Sequence, residues 1–300
     1  MQTRQQYWKT LVNAIELFFA KESFRSSAAL AFYTLFSMAP LLILVITLAG
    51  VFLGDEAARG ELAAQLDDII GAEAAEFVQE AVQRSRVDQS GLLPTLLGVA
   101  ALAFGATTVF AQLRASLNDL WDVRAQPSRN NVLNFLLTRL VSFGMVLTIG
   151  FLMLTSVLIS IVLASVREFA EALITIPSPL VTLTDTVLTL LVVSTLFGLI
   201  FRVLPDVHLS WRNVTRGALL TGALFVVGRY LISAYLTRTG PASAYGAAGS
   251  LVIVLMWVYY SSLILHFGAA IIRALLESDG GAIRPMRGAV RIRTQVVDEV

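Results

Sequence analysis

Long apolar runs separated by short polar stretches dominate this chain. Six of them, at residues 28–53, 92–113, 140–165, 180–201, 217–237 and 247–273, reach twenty residues or more. Each is long enough for a helix to cross about 30 Å of hydrocarbon. The pattern predicts an all-α, polytopic integral membrane protein with six transmembrane helices. Residues 28–273 form its membrane domain, with residues 1–27 and 274–300 as polar tails. The first run lacks a short apolar core followed by a small-residue cleavage site, so it reads as an uncleaved span.

Two shorter patterns accompany the runs. In "YWKTLVNAIELFF", Trp8, Leu11, Ile15 and Phe18 recur at helical spacing, with Lys9, Asn13 and Glu16 elsewhere around the helix. Such an amphipathic helix suits the headgroup region beside span 1, or a place packed under the bundle. The connection 54–91 has Leu62, Leu66, Ile69 and Ile70, then Phe77, Val78 and Ala81. This predicts one or two amphipathic helices divided near Gly71, capping the outer end of the bundle. The C-terminal tail is expected to be loosely ordered.

Composition agrees with this reading. The 300 residues are 56% hydrophobic and 14% charged, against about 45–50% and about 25% in soluble domains. The charges also orient the chain. Sixteen of the 22 Lys and Arg residues flank the spans on the side of the N-terminus, residues 114–139, residues 202–216 and the tail. Five lie on the other side, and Arg229 lies inside a span. The basic side is expected to be cytoplasmic, with both termini on it. The connection 54–91 is then periplasmic, carrying nine acids against three arginines.

Enzyme signatures are weak. The two histidines, His208 and His266, lie in different segments, and there is no cysteine. No H-E-x-x-H, Walker A or G-x-S-x-G pattern occurs. No cofactor or metal is expected, and a net charge of +1 gives no reason to expect nucleic acid. Membrane lipids and other envelope proteins are the expected partners.

Charges within spans are more informative, because each costs at least about 2.5 kcal/mol at the membrane centre unless paired or hydrated. Asp185 and Arg229 lie at depths that differ by only about 4–5 Å. They form either a structural ion pair or a contact for a substrate headgroup. His266 serves as a proton shuttle or a hydrogen-bonded structural group. Tyr33, Ser37, Tyr259 and Tyr260 add hydroxyls that line a cavity or bond across helices. Pro40 removes a backbone donor from span 1, which predicts a kink. Small residues in spans 2, 5 and 6 allow close helix approach, or mark a mobile entrance at residues 239–250.

The stretch "FRVLPDVHLSWRNVTRGALL" (201–220) concentrates polar residues between two spans. It reads as a structured cytoplasmic hinge: Pro205 stops span 4, Ser210 or Asn213 caps the next helix, and Trp211 suits the interface. Asp206 is expected to pair with Arg202 or Arg212.

Together with "SSAALAFYTLFSMAPLLIL" and "YGAAGSLVIVLMWVYYSSLILHFGAAI", this stretch resembles the YihY/BrkB family of bacterial inner-membrane proteins. The resemblance covers nearly the whole chain and implies six spans with cytoplasmic termini. It carries over the motif positions Tyr33, Ser37, Pro40, Arg202, Pro205, Asp206, Trp211 and Gly217, and no catalytic set. An old family label, ribonuclease BN, finds no support in these residues, which offer neither a metal cluster nor a basic RNA face. Envelope associations of the family imply transport of a lipid or lipid-linked anionic amphiphile. A scaffold of an envelope complex is the alternative.

Overall fold

The computed structural model describes residues 4–53, 72–84, 92–125, 178–239, 249–286 and 288–292, with isolated positions at 60, 140, 143, 144 and 148. Seven helices appear among them: α1 (Arg4–Ala20), α2 (Ser23–Leu53), α3 (Ala72–Arg84), α4 (Leu92–Leu120), α5 (Ser178–Val203), α6 (Trp211–Thr239) and α7 (Gly249–Ser278). Two short strands, β1 (Val123–Ala125) and β2 (Ala289–Arg291), complete the list. Predicted spans 1, 2, 4 and 5 fall inside α2, α4, α5 and α6, and span 6 fills α7 from Gly249 onward. Apart from those isolated positions, the third span, the first half of the 54–91 connection, residues 240–248 and the final eight residues lie outside the described residues.

Helix α7 is the central post, packing against α1, α2, α6, α3 and α4, while α2 pairs with α4 and α5 with α6. Two larger apolar cores form along it, beside a small third cluster of Ala14, Ile271 and Ala274. One gathers Leu117, Trp121, Phe201, Leu204, Val214 and Ile272. The other gathers Leu42, Val78, Val82, Ile253, Val254 and Trp257. Ile253 and Ile272 are nineteen residues apart, so about 28 Å of helix separates the cores.

Close approach follows from small residues. A Cβ on Gly217 would overlap the Ile272 side chain, and one on Gly228 would overlap the Tyr260 hydroxyl. The small residues of α6 thus serve tight packing onto α7. Pro40 lies inside α2, and its ring fills the space beside Gly105 of α4, where a Cβ would come within 2.9 Å of Cγ. The helix α3 is a packed cap, with Ala75, Val78 and Val82 turned into the second core and Glu76 and Glu80 outward.

The outer faces are apolar. Leu183, Val187 and Leu191 on α5, and Leu219, Leu220, Val227 and Leu231 on α6, are all exposed. Exposed apolar side chains of this number suit contact with lipid or with another membrane-embedded segment. Three helices among the described residues are long and apolar enough to cross a membrane, through Thr186–Val203, Trp211–Ile232 and Gly249–Ser278.

The all-α expectation needs one amendment, and the loosely ordered tail a correction. Helix α7 ends in a Schellman turn, with Gly280 at φ 73° and Gly281 N–H donating to the Leu276 carbonyl at 2.9 Å. The chain then folds back. Val207 and Pro285 form an antiparallel bridge, and β2 pairs with β1 in the register Val123↔Arg291, Arg124↔Val290, Ala125↔Ala289. The unpaired backbone groups of residues 122–125 and 206–208 give the tail a fixed place.

Candidate functional site

The polar residues of the 201–220 stretch meet those of α4 and α7 at the end of the bundle that carries α1 and the tail. Helix α4 presents Arg114 and Asn118 one turn apart on a single face, and Asp122 follows in the turn after its end. Asp206 accepts hydrogen bonds from Arg114 at 2.6 Å and Asn118 at 2.7 Å. Its own backbone N–H donates to the Asn118 side-chain carbonyl at 2.8 Å, and its carbonyl accepts from Met286 N–H at 2.9 Å. Asp206 therefore does not pair with Arg202 or Arg212 as expected. Arg202 lies over the Trp211 ring instead, 5.4 Å from its centroid. Pro205 follows the end of α5, and Ser210 caps α6 through the Asn213 N–H at 3.4 Å.

Just past the end of α4, Asp122 holds a second cluster. Lys21 and Arg273 both bind its carboxylate, the latter at 2.9 Å. Arg273 also donates to the Leu120 carbonyl and to Glu277 at 3.0 Å. Burial works to raise the Asp122 carboxyl, but the bond from Lys21 and the Arg273 charge outweigh it and hold it below its ordinary range. Asp122 sits at φ 54°, a left-handed turn that a short polar side chain tolerates and that sends the chain from α4 into β1. The two clusters clasp the turn between α1 and α2, the end of α4, α7, the 204–209 corner and the tail.

The other predicted residues are distributed along the bundle. His266 is 1% exposed. Its Nδ1 lies 2.7 Å from the Ser262 carbonyl and 3.2 Å from Ser27 Oγ. A carbonyl only accepts, so Nδ1 carries a proton, and in the neutral ring Nε2 then keeps its lone pair. That Nε2, Ser23 Oγ and Ser194 Oγ are buried without a hydrogen-bond partner among the described residues. Ser37 is buried, whereas Tyr33 turns outward with Phe32 and Phe36. Tyr259 is half-buried. The Tyr260 hydroxyl crosses to α6, 3.5 Å from the Leu224 carbonyl. The Arg229 guanidinium stands 5.6 Å from the Tyr230 ring. Asp185 belongs to α5, but its side chain, and hence its pairing with Arg229, lies outside what is described.

Two cavities open beside α1, of 630 Å³ and 390 Å³. Neither is lined by Arg229, His266 or the predicted tyrosines. Among the described residues no group of three or more His, Asp or Glu side chains is placed to hold a metal. Sequence reasoning missed Arg114, Asn118, Asp122, Lys21 and Arg273. The signal available was the one-turn spacing of 114, 118 and 122 immediately beyond a predicted span.

Lipid-length helices, apolar outer faces and a polar clasp at one end define a helical membrane protein. The chain belongs to the BrkB family: the family model described as "Virulence factor BrkB" matches residues 14–291. It is 27% identical over 266 residues to a UPF0761 membrane protein of Nitrosospira multiformis, covering 86% of this chain and 58% of that one. It is 25% identical over 269 residues to the "Putative ribonuclease-like protein YfkH" of Bacillus subtilis, covering 84% and 89%. A UPF0761 membrane protein of Bordetella petrii matches at 27% over 280 residues, 88% of this chain and 58% of its own length. The chain thus spans less than two thirds of these UPF0761 relatives. No solved structure matches it.

Proposed function

We propose that this is a bacterial inner-membrane protein with six transmembrane helices and both termini cytoplasmic, which moves a lipid or lipid-linked anionic amphiphile. The observation that carries the reading is a set of buried polar groups inside an apolar bundle. Ser27, Ser37, Thr107, Ser194, Ser262 and His266 are all buried in or at the ends of lipid-length helices. Three polar groups, His266 Nε2, Ser194 Oγ and Ser23 Oγ, stand there without a described partner. Keeping a polar group in an apolar interior without a hydrogen bond is unfavourable, so these three groups are placed to meet a polar guest. The gathering of α1, residues 201–216 and the tail at one end of α7 supports the charge-based orientation. A non-transporting envelope scaffold is the second reading, favoured by the clasp, which gives the basic end a folded surface. Neither reading assigns a catalytic residue, a cofactor or nucleic acid.

Reconstituted vesicles holding a headgroup-labelled fluorescent phospholipid provide the test. Wild-type protein is expected to move the probe between leaflets faster than protein-free vesicles do. Arg229→Ala and His266→Leu are expected to slow it by about tenfold, equivalent to about 1.4 kcal/mol of barrier. Wild-type rates equal to those of empty vesicles would overturn the transport reading.

A further inference from the structure

Helix α1 has three faces rather than two. Thr10, Ala14 and Phe18 are buried, with Ala14 packed on Ile271 and Ala274 of α7. Lys9, Asn13 and Glu16 form an exposed polar side. Between these faces run Trp8, Leu11, Val12, Ile15 and Phe19, apolar and exposed, spaced by three and four residues. A helix of this kind lies along a membrane surface with that stripe in the lipid.

Helix α6 marks the same surface independently. Its outer face carries exposed Arg212, Thr215 and Arg216, then turns wholly apolar at Leu219 and Leu220. From Leu219 to its end at Thr239 the helix rises about 30 Å, the thickness of the hydrocarbon. The headgroup boundary therefore falls between Arg216 and Leu219.

The 390 Å³ cleft lies at that level, lined by Thr10, Leu11, Arg216, Leu220, Ile271 and Leu275. Its size is within the range of about 300–1,000 Å³ usual for small-molecule sites. One cation stands at its polar end, apolar side chains continue one turn deeper, and no carboxylate lines it. Among the described residues no carboxylate pairs with Arg216. Arg212, one turn earlier on the same face, adds a second positive charge.

We propose that this cleft binds one anionic phospholipid of the surrounding leaflet, its phosphate on Arg216 and an acyl chain along Leu11, Leu220 and Ile271. The guanidinium supplies the forked donor that phosphate oxygens take, and the apolar walls continue the stripe of α1. The lipid joins α1 to α6 and α7, seating the surface helix against the bundle.

The test is native mass spectrometry of the full chain in detergent. The probes are phosphatidylglycerol, phosphatidylcholine and inorganic phosphate. One phosphatidylglycerol is expected to bind saturably, about tenfold tighter than phosphatidylcholine. Arg216→Gln removes that preference, and Leu220→Trp, which fills the cleft, weakens both lipids. Val227→Trp, exposed on α6 outside the cleft, changes neither. All three positions are on the surface, and thermal unfolding verifies each variant's fold. Retention of the preference in folded Arg216→Gln would overturn the proposal. So would displacement of the lipid by inorganic phosphate alone, or an equal loss in Val227→Trp. Binding is read at equilibrium, so a chain that moves no lipid still passes this test, and a transporting chain can still fail it.

Discussion

Asp206→Ala tests the clasp most directly. The substitution leaves Arg114 and the Asn118 amide facing an empty place. The Asp206 and Arg114 side chains are only 16% and 19% exposed, so water restores little of what is lost. Hydrogen bonds to a charged group contribute about 1.5–3 kcal/mol each, and Asp206 accepts two. Stranding one partner of a buried pair costs about 3–5 kcal/mol, so about 3 kcal/mol is expected at this partly buried site. At about 2 °C per kcal/mol, the small end for long chains, Tm falls by about 6 °C. Tryptophan fluorescence in detergent reads the transition, because Trp121 is buried beside Asp122 at the centre of the clasp. Arg114→Ala combined with Asp206→Ala is expected to show a coupling of about 1–3 kcal/mol. Arg212→Ala, at an exposed position, is expected to stay within about 0.5 kcal/mol of wild type. The reasoning is refuted if Asp206→Ala melts with wild type, or if the double variant is simply additive.

Arg273→Met leaves Asp122 with Lys21 as its one remaining cation, removes the partner of Glu277 and frees the Leu120 carbonyl, so a loss of about 3 kcal/mol should appear in the same melting assay. Acid gives a second reading of this cluster. The Asp122 carboxyl is depressed in the folded state, so its contribution is complete above the unfolded value of about 3.9 and disappears as pH falls through the folded value. Wild-type Tm should therefore drop below about pH 4 more steeply than that of Asp122→Asn. Gly217→Val places side-chain atoms where Ile272 already lies and should destabilise by about 1–3 kcal/mol. An unchanged Tm would mean that α6 and α7 separate freely there.

The helical class was legible in the apolar runs alone. Backbone groups in hydrocarbon must bond within their own segment, so a run of that length and composition becomes a helix. Local chemistry also placed several ends correctly: Pro205 follows α5, Ser210 caps α6, and Phe77 and Val78 announced α3. What required the tertiary structure was everything joining distant parts of the chain. Asp206 had basic residues four and six positions away, yet its partners came from α4, 88 and 92 residues earlier. Helix direction carries Arg202 and Arg212 outward, and the crossing of α4 beneath the corner decides which cation arrives. The tail looked unstructured because residues 281–292 lack a long apolar pattern. Residues 281–286 and 288–292 are ordered because the segments that follow α4 and α5 left backbone donors and acceptors unpaired, and α7 delivers the tail beside them. Sequence periodicity therefore determined which segments form long apolar helices, a property of each segment by itself. Only packing determined which polar groups meet, because that depends on helix rotation and register, which no single segment encodes.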